Sequence, residues 1–149
     1  MTAPVATAPP AWASWLGAGG LIPFAVLALA LWWPASGQQG ATSHALASYG
    51  ATIASFLGAI HWGLAMRSPP GAGAGPYLWG VTPSLLAWLA LLLPPAAGLI
   101  GLAALLGVCL LVDQRRYPHY QLQAWLPLRR RLTLVASLTC LAGAVGLLR

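Results

Sequence analysis

Charge is what this sequence has least of. Among its 149 residues only one, Asp113, is acidic, and all seven basic residues are arginines. Charged residues make up 5% of the chain, whereas a soluble domain carries roughly 25%. Because so few polar side chains are available to cover a surface in water, the composition excludes an ordinary soluble domain.

The single carboxylate also limits the chemistry. Hydrolysis by paired carboxylates and metal sites built from several carboxylates both need more acidic side chains than this chain has. Cys109 and Cys140 lie in apolar stretches without the spacing of a zinc site or a disulfide framework. The sequence also shows no nucleophile elbow and no phosphate-binding glycine loop. It therefore predicts no catalytic residue, no metal site and a protein that is not an enzyme.

Hydrophobic residues, in contrast, make up 59% of the chain, and the mean hydropathy is +0.77. They are concentrated in five stretches, each near the ~20 residues that a membrane-crossing helix needs. The sequence thus predicts an all-α bundle of about five transmembrane helices, with residues 1–16 as a disordered or interfacial tail and residues 17–149 as one domain. The predicted spans cover residues 17–33, 45–66, 77–93, 96–112 and 132–148.

The arginines predict an orientation. Six of the seven follow the second and fourth spans and so share a side with the N-terminus, while Arg149 alone lies on the other side. Arginine and lysine accumulate in cytoplasmic loops, which places the N-terminus in the cytoplasm and the C-terminus opposite. The six arginines are Arg67, Arg115, Arg116, Arg129, Arg130 and Arg131.

Residues 113–131 form the main hydrophilic segment, which we predict to be a basic interfacial loop. With Trp125 between its arginine clusters, it is typical of a segment that lies on the membrane and binds anionic headgroups. A simpler interpretation is that the positive charge only sets the orientation. In either case the net charge of +6 indicates lipid headgroups and not nucleic acid. Asp113 is expected to pair with a nearby arginine.

The second predicted span has one face of small residues. Small side chains let helices approach closely in a bilayer, where apolar surface alone gives no reason to associate. We therefore expect this helix to be central, with the opposite, bulkier side facing lipid or large neighbours. The predicted packing face consists of Ala47, Gly50, Ala54, Gly58, His61 and Ala65.

His61 is the one large member of that face. It precedes Arg67 by six residues, which places it roughly 9 Å below the helix end. An ionisable side chain within a membrane is a functional candidate by default. Three interpretations stay open: a neutral histidine packed against a hydrogen-bond partner, a ligand of a cofactor whose identity is unknown, or a group that relays protons.

A longer motif surrounds this histidine. The stretch from Tyr49 to Gly63, YGATIASFLGAIHWG, and the downstream WLPLR at 125–129 with Leu132-Thr133 and Asp113, resemble the membrane family called domain of unknown function 3429, the transmembrane protein 69-like proteins. The resemblance covers residues 20–148 and implies a multi-pass helical protein of the bacterial inner membrane, without an established activity. The motif positions are Tyr49, Gly50, Ser55, Phe56, Gly58, Trp62 and Gly63.

The sequence is compatible with three functions. The first is a non-enzymatic accessory, assembly or interaction subunit, acting with a membrane-protein partner or a second copy of itself, because a helix with small residues is present and a catalytic set is absent. The second is a membrane protein that binds a lipid, quinone, haem or pigment near His61, Trp62 and Asp113. A small transporter or channel is third, because a conducting path needs more polar groups within the membrane.

Overall fold

The computed structural model describes residues 8–33, 37–67 and 73–149, and within these ranges all regular structure is helical. The predicted all-α class is confirmed. Two short 3-10 helices, Tyr117–Tyr120 and Gln123–Trp125, connect the last two α-helices. The six α-helices are α1 (Ala11–Gly19), α2 (Ile22–Trp32), α3 (Gln39–Met66), α4 (Gly75–Leu91), α5 (Pro95–Arg116) and α6 (Leu126–Leu147).

Because α1 and α2 follow each other almost without interruption, the six helices form five segments, in the order of the five predicted spans. Among the described residues, three stretches are long and apolar enough to cross a membrane: residues 11–32, 95–120 and 123–147. The helix α3 has 28 residues, and α4 has 17. Neither belongs to those three, since α3 is rich in small and hydroxyl-bearing residues and α4 is short.

Several helix boundaries differ from the sequence prediction. The chain is helical from Ala11, inside the segment predicted to be a tail, and residues 1–7 of that tail lie outside the described residues. The helix α3 begins at Gln39, six residues before the predicted start at Ala45. Ser43 lies within it, buried, and its hydroxyl donates to the carbonyl oxygen of Gly40 at 2.9 Å. The hydroxyl of this buried serine is thus satisfied within the helix itself.

The segment predicted to be a basic loop, residues 113–131, is mostly helical. Its first part continues α5 to Arg116, and its last part starts α6 at Leu126. Pro127 lies in the first turn of α6, where a missing N–H costs nothing. The chain reverses only between these helices, with Gln121 in the left-handed conformation at φ 57°. Asp113 and Arg129 therefore occupy helices that face each other.

The helix α3 is central, since it packs against α2, α4, α5 and α6. Its closest approach is to α4: a Cβ at Gly58 would lie 2.6 Å from the carbonyl oxygen of Gly80, so only glycine fits there. All six residues of the predicted packing face are buried. The outer surfaces of α2, α4, α5 and α6 expose leucine and valine, which suits contact with lipid.

Candidate functional site

A buried cluster of ionisable side chains joins three helices near the arginine-rich end of the bundle. The Asp113 carboxylate lies 2.8 Å from His61 Nε2 through Oδ1. Its Oδ2 accepts hydrogen bonds from Nε of Arg129, at 2.8 Å, and from Nη2 of the same guanidinium. Asp113 is 2% exposed, His61 1% and Arg129 8%. The only carboxylate side chain of the chain is thus shared between a guanidinium and an imidazole.

The local folding of each helix explains the cluster. His61 lies on the small face of α3, Asp113 is one turn before the end of α5, and Arg129 is in the first turns of α6. The tight reversal between α5 and α6 brings the last two together across 16 residues. Arg129 Nη1 also lies 3.5 Å from the hydroxyl of Thr133, one turn further along α6.

Aromatic rings surround the imidazole. The rings of His61 and Tyr117 have centroids 6.3 Å apart, and those of His61 and Trp79 are 6.5 Å apart in an edge-to-face arrangement. The guanidinium and carboxylate charges cancel, which is what a low-dielectric interior requires of buried ions. Within the described residues, no group of three or more histidine, cysteine or acidic side chains is placed to hold a metal ion.

A cavity of about 380 Å³ lies beside this cluster, between α1, α3, α5 and α6. Its walls are almost entirely apolar, with Phe24, Leu57 and Leu106 among them. The side chains of Tyr117, Arg129 and Thr133 in its lining lie together, since Arg129 interacts with both hydroxyls, and they define the polar end of the cavity. The cavity therefore has a long apolar wall and a single polar end, which is the usual character of a small-molecule site.

The most exposed side chains of the lining mark where the cavity opens. Among its lining residues, Leu16 on α1 is 75% exposed and Phe56 on α3 is 62% exposed. These two side chains mark a rim between α1 and α3. Trp125 lines the cavity as well, so the indole predicted to lie at the headgroups is half-buried against it. A molecule dissolved in lipid can reach such a mouth directly.

The remaining basic side chains of the predicted headgroup site lie outside the cluster. They are exposed near one end of the bundle, at the end of α3, the end of α5 and the start of α6. These residues are Arg67, Arg115, Arg116, Arg130 and Arg131. The structure therefore separates one buried arginine, Arg129, from five exposed ones that the sequence treats alike.

The motif residues have three different environments. Tyr49 donates its hydroxyl to the carbonyl oxygen of Gly20 at 2.8 Å and so ties α3 to the junction of α1 and α2. Ser55 donates to Ala51 within its own helix. Trp62 and Gly63 are exposed on the outer side of α3, and Trp62 packs edge-to-face on Tyr77 with centroids 5.6 Å apart. Trp62 thus lies outside the cavity lining.

The cavity is not evident in the sequence. Its lining comes from α1, which the sequence predicts to be part of a tail, and from the start of α6, which it predicts to be a loop. Thr133 belongs to the Leu132-Thr133 part of the resemblance, but nothing in the sequence places its hydroxyl, or that of Tyr117, beside a cavity. The one available signal was the spacing of Arg129 and Thr133, which places both on one face of a helix.

Comparison with known proteins shows the family of the chain. The family model described as "Protein of unknown function (DUF3429)" matches residues 9–145. The chain belongs to this family. The resemblance carried by the motif from Tyr49 to Gly63 is thereby confirmed. The matched region contains every residue of the buried cluster and of the cavity lining.

Transmembrane protein 69 of Xenopus tropicalis is 36% identical to the chain over 141 residues, which cover 89% of this chain and 53% of that relative. The chain therefore spans about half the length of this curated relative. No solved structure matches it. The name of this relative is consistent with the apolar helices of the chain. Neither comparison assigns an activity.

Proposed function

We propose that this protein is a non-enzymatic, multi-pass membrane protein that binds one lipophilic small molecule in the cavity between α1, α3, α5 and α6. The observation that supports it best is the cavity itself: about 380 Å³, apolar along its walls and polar at one end. Because exposed side chains of α1 and α3 line the cavity, it is open to the surroundings of the bundle, and its size and lining are those of a site that takes up a small molecule.

We also propose that five helical segments cross the membrane, with the N-terminus in the cytoplasm. The five exposed arginines cluster near one end of the bundle, while Arg149 lies at the other and stacks over Trp32, 4.6 Å from its ring centroid. This asymmetry supports the cytoplasmic placement of the basic end, where the arginines contact anionic headgroups. The bacterial inner membrane fits the resemblance noted in the sequence.

The test is native mass spectrometry of protein purified in mild detergent, comparing the wild type with two cavity-filling variants. Ala136→Phe fills the cavity from α6 and Ala13→Trp fills it from α1, since both alanines line it. The controls are Ala104→Phe and Ala18→Trp, the same changes at exposed positions outside the lining.

We expect the wild type and both controls to carry one bound lipophilic molecule, and both filled variants to lose it while keeping their helical circular dichroism. If folded wild-type protein carries no lipophilic molecule, or if the folded variants with a filled cavity retain the same molecule, then the cavity is not a binding site for it.

A second candidate is an accessory or assembly subunit that contacts another membrane protein or a second copy. The specific observation is the outer face of α3, where Thr52, Ala59 and Gly63 are exposed, and where a Cβ at Gly63 would meet nothing within 4 Å. Small residues on a lipid-facing surface suit the close approach of another helix.

For this second role, we expect mild-detergent complexes of the wild type to contain a second copy or a membrane-protein partner. A Gly63→Leu variant should lose it, and Gly107→Leu, at another glycine with open space, should keep it. A strictly monomeric wild type without a co-purifying protein would eliminate the accessory role.

A further inference from the structure

We propose that the molecule taken up by the cavity is uncharged and carries a carbonyl oxygen at its polar end, as a quinone or a fatty-acyl ester does. This inference rests on the proposed function and names the class of ligand for the same site. It follows from the donors at the polar end, the balance of charge there, and the volume and mouth of the cavity.

The polar end is richer in hydrogen-bond donors than in free acceptors. A guanidinium has five N–H donors and no acceptor. Arg129 uses three of them on Asp113 and Thr133. Arg129, Tyr117 and Thr133 are all among the residues that line the cavity. The hydroxyl oxygens of Tyr117 and Thr133 both accept from the guanidinium, so each hydroxyl keeps its own proton to donate. A ligand that fits this end must supply an acceptor oxygen.

The charge balance favours a neutral acceptor over a carboxylate or phosphate. The positive charge of Arg129 is already met by Asp113 at hydrogen-bond distance. Bringing a second anion to the guanidinium would leave one negative charge without a partner in an apolar interior, which is costly. The arginines that could hold an anion, such as Arg130 and Arg131, are exposed outside the lining. A carbonyl oxygen accepts the same hydrogen bonds without that cost.

Volume and access define the rest of the molecule. About 380 Å³ is near the lower end of small-molecule sites, which span roughly 300–1,000 Å³. The cavity therefore accommodates a ring or one acyl chain, not a whole two-chain phospholipid. Because the mouth lies between the exposed Leu16 and Phe56, a longer tail leaves sideways into lipid while the head stays at Arg129.

The experiment measures the binding of four probes to the full chain in micelles of dodecyl maltoside, a detergent without carbonyl groups. Decylubiquinone offers ring carbonyls, and methyl dodecanoate offers an ester carbonyl. Decylbenzene has a tail and a ring but no acceptor, and dodecanoate has a charged head. A hydrogen bond to a charged group tightens binding by about tenfold or more over a ligand that cannot make it. We therefore expect one of the carbonyl probes to bind at least about tenfold more tightly than decylbenzene or dodecanoate. Which of the two binds more tightly identifies the quinone or the ester as the natural source.

Two conservative variants test the contact itself. Tyr117→Phe and Thr133→Val each remove one hydroxyl from the polar end while keeping the size of the side chain. They should reduce the preference for the carbonyl probe by several-fold and leave decylbenzene binding unchanged. Tyr77→Phe and Thr139→Val, at positions outside the cavity lining, should change neither.

The outcomes separate this inference from the proposed function. If all four probes bind equally and Ala136→Phe blocks them, the cavity binds lipophilic molecules but the carbonyl preference is wrong. If dodecanoate binds most tightly, the site takes an anion and the inference is overturned. If no probe binds, both proposals fail.

Discussion

Removing the negative charge of Asp113 should destabilise the protein strongly. Asp113→Asn keeps the size of the side chain and one acceptor oxygen, but it leaves the Arg129 guanidinium buried without a counter-charge. Breaking a buried ion pair by neutralising one partner costs about 3–5 kcal/mol, because the remaining charge is not solvated. The same change weakens the hydrogen bond between the Asp113 carboxylate and His61, whose Nε2 lies 2.8 Å from it, and this adds to the cost.

The free energy of unfolding can be followed by circular dichroism during denaturation in mixed micelles. Arg130→Gln is the control, since it removes a charge of the neighbouring, exposed side chain and should change stability by less than about 0.5 kcal/mol. The double variant Asp113→Leu with Arg129→Met removes both charges together. It should be more stable than Asp113→Asn, because replacing a buried pair by apolar residues is often close to neutral. An Asp113→Asn protein as stable as the control would refute the reasoning.

Two further predictions follow from the packing. Gly58→Ala places a Cβ 2.6 Å from the Gly80 carbonyl oxygen. Because α3 and α4 must then move apart, the variant should lose about 1–3 kcal/mol of unfolding free energy. Gly63→Ala, in open space, should lose little, and an equal loss in both variants would contradict the close packing of α3 on α4. Cys109 and Cys140 are buried and free. Both thiols should therefore resist maleimide labelling in the folded protein and react once the protein is denatured. Rapid labelling of either thiol in the native state would show that the core is accessible and not closely packed.

The sequence predicted the centre of the fold well because the central helix carries a strong pattern. The small face of α3 from Ala47 to Ala65 can be read from its spacing, and the burial of all six residues follows from close packing. Asp113 was also a clear candidate for an ion pair. Which arginine would pair with it could not be derived, because five arginines lie within the same segment and only the helix start at Leu126 turns Arg129 inward.

The cavity could not be predicted from the sequence for a different reason. It depends on where α1 lies relative to α3, and α1 has no buried residue that would give a pattern to detect. The exposed motif residues Trp62 and Gly63 show the opposite problem. The sequence marks them through a resemblance, but the structure places them outside both the cluster and the cavity. There Trp62 packs against Tyr77 of α4.

Direct observation of the cavity is the most decisive measurement. An experimental density map of the protein purified in mild detergent would show what lies between α1 and α3. We expect an elongated feature that enters between Leu16 and Phe56 and ends within hydrogen-bond distance of Arg129, Tyr117 or Thr133. A map in which α1 closes onto α3 and leaves no space, or in which only water fills the polar end, would contradict the proposed binding site.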